Sequence, residues 1–206
     1  MPRRRPTALA ITIGVIVLAL VAAVVALGWA TVGTDITSRN RADDLVSRTR
    51  AAWAGGSQSS GMPEAGEVIA IIRSADLGIE WPVVVGVAPD QLDHAVGWYP
   101  TTGLPGEPGN FALAGYRITH GAPFKNLLDL PVGSVIVIET AAQTFTYRTR
   151  ATAAEVDAAA SGAWVLDPVP GANRVPTTGV LTLTTAADLV ATDSRAVVFA
   201  ELVSNR

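Results

Sequence analysis

From Glu67 to the C-terminus, short apolar runs alternate with clusters of turn residues. "EVIAIIRS" (67–74), "WPVVVGV" (81–87), "NFALAGY" (110–116), "SVIVIET" (134–140), "TFTYRTRATAAEV" (144–156), "GVLTLTTA" (179–186) and "RAVVFAEL" (195–202) are rich in β-branched and aromatic residues. In the sixth run Leu181, Leu183 and Thr185 alternate with Thr182 and Thr184, the period of a strand. Asp76-Leu77-Gly78, Pro105-Gly106, Pro108-Gly109 and Pro131-Val132-Gly133 separate the runs. Many short strands at this spacing predict an all-β sandwich or barrel. Two helical turns are expected between them. "APDQLDHAV" carries Pro89 in a first-turn position, and "PFKNLLDL" sets Phe124, Leu127 and Leu128 on one face.

The N-terminal third follows a different pattern. Thr7 to Val32 contains no charged residue, and Arg3, Arg4 and Arg5 precede it. A helix of roughly 20 apolar residues crosses the hydrocarbon core, and basic residues keep their end in the cytoplasm. Trp29 near the far end suits the headgroup region. A cleaved signal peptide is the alternative, but its apolar core is about 7–15 residues. The expected organisation is a cytoplasmic N-terminus (1–6), a transmembrane signal-anchor (7–32), a helical and flexible linker (33–66) and a β-domain (67–206) outside the cytoplasm. Within the linker, Asp35 or Thr37 is the expected cap of a helix, Leu45, Val46 and Trp53 are weakly periodic, and Gly55-Gly56 ends it. "GGSQSSGMPEAG" reads as flexible.

Composition narrows the chemistry. The 206 residues carry a formal net charge of -3 and no basic patch in the β-domain, which argues against a nucleic-acid partner. There is no cysteine, so disulfides, thiolate metal sites and cysteine catalysis are excluded. Two histidines and scattered acids supply no recognisable metal-ligand set, and no phosphate-binding glycine loop appears, so neither metal nor cofactor is expected. A single lysine among many arginines, with abundant Ala, Val and Gly, is a GC-rich, actinobacterial-like composition.

Three ordered segments nevertheless resemble one enzyme family, the sortases, and within it class E. They are "GWYPTTGLPGEPGNFALAGYRITHGAPFKNLLDLPVGSVIVIET", "FTYRT" and "LTLTTAADLVATDSRAVVFAEL". The likeness covers roughly residues 67–205. It implies a closed eight-stranded β-barrel, so the fold expected for the chain is that all-β barrel with short helical turns, preceded by the one N-terminal transmembrane helix read above. It also implies the activity of a Gram-positive cell-wall transpeptidase that cuts sorting signals of the Leu-Ala-x-Thr-Gly kind. In that family a cysteine holds the acyl group, a histidine serves the leaving amine, and an arginine steadies substrate carbonyls.

Carried over position by position, the resemblance places Ala186 where the nucleophile belongs and Tyr116 where the histidine belongs. A phenol with a pKa near 10 is a poor acid-base near neutral pH. Arg195, nine residues after Ala186, keeps the arginine position, and Tyr99 keeps a tyrosine linked with substrate choice. Trp98, Ser134 and Asp188 replace the family's histidine, aspartate and proline at three further positions. Arg195, Tyr99 and Thr184 are the expected peptide-binding residues. Thr185 is expected to point away from Ala186, Trp98 to be bulky enough to plug the groove, and Asp188 either to pair with Arg195 or to stay solvated. His120 is either a loop residue or a replacement imidazole, and His94 belongs to an exposed turn. The leading expectation is a membrane-anchored homologue without catalysis that binds a sorting-signal peptide or a cell-wall protein. An active transpeptidase with an altered sequence and a purely structural barrel are the alternatives.

Overall fold

A computed structural model describes residues 8–56, 63–159, 162–188 and 192–206; within the first helix the side chains of residues 8–12 and 23–34 are not described. The chain begins with helix α1 (Ala8–Ala54) and continues through strands β1 (Val68–Ser74) and β2 (Ile79–Val85), a one-turn helix α2 (Pro89–Leu92), and strands β3 (Val96–Trp98) and β4 (Gly109–Ala114). Strands β5 (Val135–Glu139), β6 (Thr144–Thr149), β7 (Ala154–Asp157), β8 (Gly179–Ala186) and β9 (Ser194–Asn205) follow. Two 3-10 turns, Leu127–Asp129 and Gly162–Leu166, interrupt the later connections.

The strands run in the order β6-β5-β1-β2-β3-β4-β8-β9, and β9 returns to pair with β6. That last pairing closes an eight-stranded barrel. β7 is an appendage on β9, outside the ring. The 12 residues of β9 make both pairings possible: Ser194–Val197 faces β7, and Ala200–Asn205 faces β6. Consequently the run 144–156, expected as one strand, is two strands that lie along different lengths of β9. β3 was hidden in the sequence because a helical turn was expected over 88–96. Pro89 does occupy the first turn, but the helix ends at Leu92 and the chain is extended again from Val96.

Side chains from alternate positions fill the barrel. Ile72, Phe111, Leu113, Ile136, Ile138, Tyr147, Leu181, Leu183 and Val198 belong to one buried cluster. Each such side chain contributes roughly 1.5–3 kcal/mol by leaving water. Phe124 and Leu127 join this cluster, whereas Leu128 is exposed, so the expected three-residue face is only two residues wide. Two buried polar side chains pair across the barrel. Thr182 Oγ1 donates to Asn110 Oδ1 (2.6 Å), and Asn110 Nδ2 donates to Val165 O (2.8 Å), tying the second 3-10 turn to β4.

α1 runs unbroken past Asp35 and Thr37, so neither caps a helix there. Ser38, Ala42 and Val46 are buried at intervals of four, the stripe by which this half of α1 docks on β2. Arg50 closes the contact with ion pairs to Glu80 (2.6 Å) and Glu139 (2.7 Å). The Arg50 hydrogen bond holds the Glu139 carboxyl below its usual range. Residues 13–22 stand exposed instead. Among the described residues no helix is long and apolar enough to cross a membrane, and most of the uncharged run has no described side chains. The transmembrane helix expected over 7–32 is therefore not shown by the structure.

Candidate functional site

The site lies where β4 and β8 end and β9 begins. β8 and β9 are antiparallel, with Ala186 directly opposite Arg195 in the last pair of the ladder. Ala187 N–H continues the pairing to Ser194 O (3.1 Å). On the other side β4 runs parallel to β8, Ala114 beside Thr184, and Gly115 N–H reaches Thr184 O (3.2 Å). Strand ends that stop in register leave a cleft of about 240 Å³ at the barrel rim, lined by Tyr99, Tyr116, Arg117, Thr184, Ala186 and Arg195 among others. Gly115 also lines it, and no side chain fits there: a Cβ would lie 2.8 Å from Cδ2 of the fully buried Phe124.

Neither threonine beside Ala186 is available as a nucleophile. Thr184 Oγ1 donates to Leu113 O (3.1 Å), and Thr185 Oγ1 donates to Gly115 O (2.8 Å). Each hydroxyl carries one proton, and both protons are spent on the Leu113 and Gly115 carbonyls. Thr185 and Thr184 both line the cleft. Tyr99 OH lies 3.4 Å from Thr184 Oγ1, whose proton is already committed, so the phenol donates. Ala186 offers only a methyl group.

Arg195 is half-buried and fixed by its own loop. Its Nη1 donates to Thr192 O (2.7 Å) and to Ser194 O (3.0 Å). Those two bonds account for one end of the guanidinium fork. The Nη2 and Nε donors have no partner among the described residues. Of the two readings of Asp188, the pairing with Arg195 does not form: Asp188 Oδ2 accepts from Thr192 Oγ1 (2.6 Å) and stays exposed. A local loop bond thus stands in place of the ion pair.

Tyr116 stacks on His120, ring centroids 4.5 Å apart and planes 25° from parallel. His120 Nε2 lies 3.2 Å from Asp93 Oδ1, and its Nδ1 lies 2.9 Å from Thr119 Oγ1. Burial, and next the Asp93 charge, push the Tyr116 phenol above its usual pKa. A neutral, tightly held proton is what the cleft then sees. His120 is held behind Tyr116 and is not among the cleft-lining residues. His94 is half-buried, with an unpartnered Nδ1, and not in an exposed turn. Trp98 does not plug the cleft. It turns into the core, 6% exposed, with Nε1 donating to Thr102 Oγ1 and Gly103 O (both 3.1 Å). No group of acids and histidines able to hold a metal occurs among the described residues.

Sequence reasoning missed Asp93 and Arg117, which flank Tyr116 in space. Arg117 was legible as the residue next to Tyr116. Asp93 was not, because it arrives from the α2 connection between two parallel strands, a pairing the sequence pattern does not mark.

A family model for the Sortase domain matches residues 72–203. Over 204 residues the chain is 33% identical to Sortase SrtE1 of Streptomyces coelicolor, covering 95% of this chain and 56% of that protein. It is 34% identical over 119 residues to Sortase SrtE2 of the same organism, covering 57% of this chain and 45% of that protein. The chain thus spans about half the length of the curated relatives it matches. Among solved structures it is similar to sortase E from Streptomyces avermitilis (30% identity, TM-score 0.61, 69% of this chain and 92% of that one). It is also similar to Sortase E1 from Streptomyces coelicolor with a tripeptide in the active site (32% identity, TM-score 0.61, 68% of this chain and 91% of that one).

Proposed function

The chain belongs to the sortase family, class E-like in its relatives, and from that premise we propose that it is a membrane-anchored homologue that binds a sorting-type peptide without cleaving it. One observation carries the reading. Arg195 faces the cleft with donors to spare, while the residue opposite it, Ala186, and both neighbouring hydroxyls offer no nucleophile. A groove that retains its carbonyl-binding cation and lacks its thiol can hold an acyl donor but cannot open it.

The mode follows from the open strand ends. An extended peptide laid along the cleft presents carbonyl oxygens to Arg195 Nη2 and Nε, and each charge-assisted bond is worth about 1.5–3 kcal/mol. The Tyr99 oxygen, its proton directed to Thr184, keeps lone pairs that accept a peptide N–H. Tyr116 contributes a wall and a fixed phenolic proton, with no capacity to serve a leaving amine near pH 7. The tripeptide bound in the Streptomyces coelicolor enzyme's active site supports an extended peptide as the class of ligand.

Anchoring is read from three features: the uncharged run from Thr7 to Val32, the arginines before it, and the exposed apolar side chains of residues 13–22, which no part of the barrel covers. In this reading the barrel lies outside the cytoplasm. Protease added to intact cells is expected to degrade the region from Asp35 onward while a tag placed before Arg3 stays protected. Release of a species lacking residues 1–30 would instead establish a cleaved signal peptide.

A further inference from the structure

A second depression, of about 410 Å³, lies beside the cleft, between α1 and the loop that follows β4. Its lining carries three cationic side chains, Arg39, Arg117 and Lys125, against one carboxylate, Asp35. The carboxylate is already engaged, because Asp35 Oδ1 accepts Gly121 N–H (2.9 Å). That bond seats α1 on the loop at Gly121, where φ is +77° and an added Cβ would lie 2.5 Å from the Trp81 ring, so no side chain fits. None of the three cations has an ion-pair partner among the described residues, and Arg117 Nε is buried with no hydrogen bond at all. A buried guanidinium N–H without an acceptor is destabilising. Three like charges around one hollow repel one another as well. That repulsion is relieved by a ligand with several anionic oxygens, and arginine forks match the tetrahedral oxygens of phosphate.

We propose that this depression is a binding site for a phosphate ester. Its volume falls within the roughly 300–1,000 Å³ of small-molecule sites, so it accommodates a phosphodiester with its flanking groups. The source of that phosphate follows from position. Asp35 is the first charged residue after the run ending at Val32, and three residues of helix advance only about 4.5 Å. If the anchor reading holds, the pocket lies at headgroup level, and an anionic phospholipid supplies the ester. The anion site itself does not depend on that reading. Arg117 lines both this depression and the cleft, so a ligand here bears directly on the wall next to Tyr116.

The test uses the full chain in a nonionic detergent and phosphorus NMR. Inorganic phosphate, dihexanoyl-phosphatidylglycerol and dihexanoyl-phosphatidylcholine are titrated separately. Broadening of the phosphatidylglycerol signal well beyond that of the zwitterionic lipid is expected, with about tenfold or greater weakening in Arg117→Gln. Lys125→Gln, at an exposed and unpaired side chain, is expected to weaken binding without touching the fold, and Arg174→Gln, an exposed arginine elsewhere, to leave it unchanged. Binding of inorganic phosphate alone with the same variant pattern upholds the site and assigns it to free phosphate. Absence of binding by all three probes overturns the proposal, as does binding that Arg117→Gln and Lys125→Gln leave intact or that Arg174→Gln weakens equally. The protease experiment tests the anchor separately, so the two readings fail distinguishably.

Discussion

Ala186→Cys combined with Tyr116→His is expected to cleave a Leu-Ala-x-Thr-Gly peptide on the order of 10²-fold or more faster than Ala186→Cys alone, because a positioned acid-base contributes about 10²–10⁴. The cysteine restores a thiol directly opposite Arg195, where the closing β8–β9 pair already sets its direction. A free thiol with a pKa near 8.5 is mostly protonated at pH 7, and the unprotonated leaving amine has no donor. Tyr116 cannot supply either function, since burial raises a phenol that already titrates too high. An imidazole at 116 titrates near 6.5 and can do both. Full turnover from Ala186→Cys alone would show that position 116 is not the missing acid. Adding His120→Ala to the single variant separates one escape route: residual activity that disappears would reveal that His120 reaches past Tyr116.

Arg195→Ala is expected to weaken peptide binding about tenfold or more, as the loss of one charge-assisted hydrogen bond implies. Asp188→Ala is expected to change affinity little. Sequence reasoning left open an internal Asp188–Arg195 pair, which would make removal of the carboxylate strengthen binding. With Asp188 bonded to the Thr192 hydroxyl and Arg195 to the Thr192 and Ser194 carbonyls, the guanidinium has nothing to be released from. A several-fold gain in affinity for Asp188→Ala by calorimetry would contradict that geometry.

The barrel was legible in the sequence because its longer strands carry clear apolar runs between turn residues. β8 is found at the boundaries the alternation predicted, 179–186. β3 was not legible, since a three-residue strand carries no period and follows a proline that favours a helical start. The split between β6 and β7 depended on β9 being long enough to serve two partners, which only the tertiary register reveals.

At the site, the positions of Ala186, Tyr116 and Arg195 followed from the family resemblance, and the structure brings them to one cleft along with Tyr99 and Thr184. Side-chain fates were harder. Trp98 had a choice between groove and core, and two hydrogen bonds at the Thr102–Gly103 turn draw its indole inward. Asp188 had a choice between a distant charge and a hydroxyl four residues away, and the local bond prevails. The phosphate-ester site was invisible to sequence, because Arg39, Arg117 and Lys125 meet only when α1 docks across the loop after β4.

The most direct test of a peptide-binding, non-cleaving cleft is a titration of the unaltered full chain with a Leu-Ala-x-Thr-Gly peptide, followed by mass spectrometry of peptide and protein. Weak saturable binding is predicted, with the peptide recovered intact and the protein unmodified. Cleaved peptide, or an ester on Thr184 or Thr185, would contradict the absence of a nucleophile, and no binding at all would reduce the barrel to a structural role.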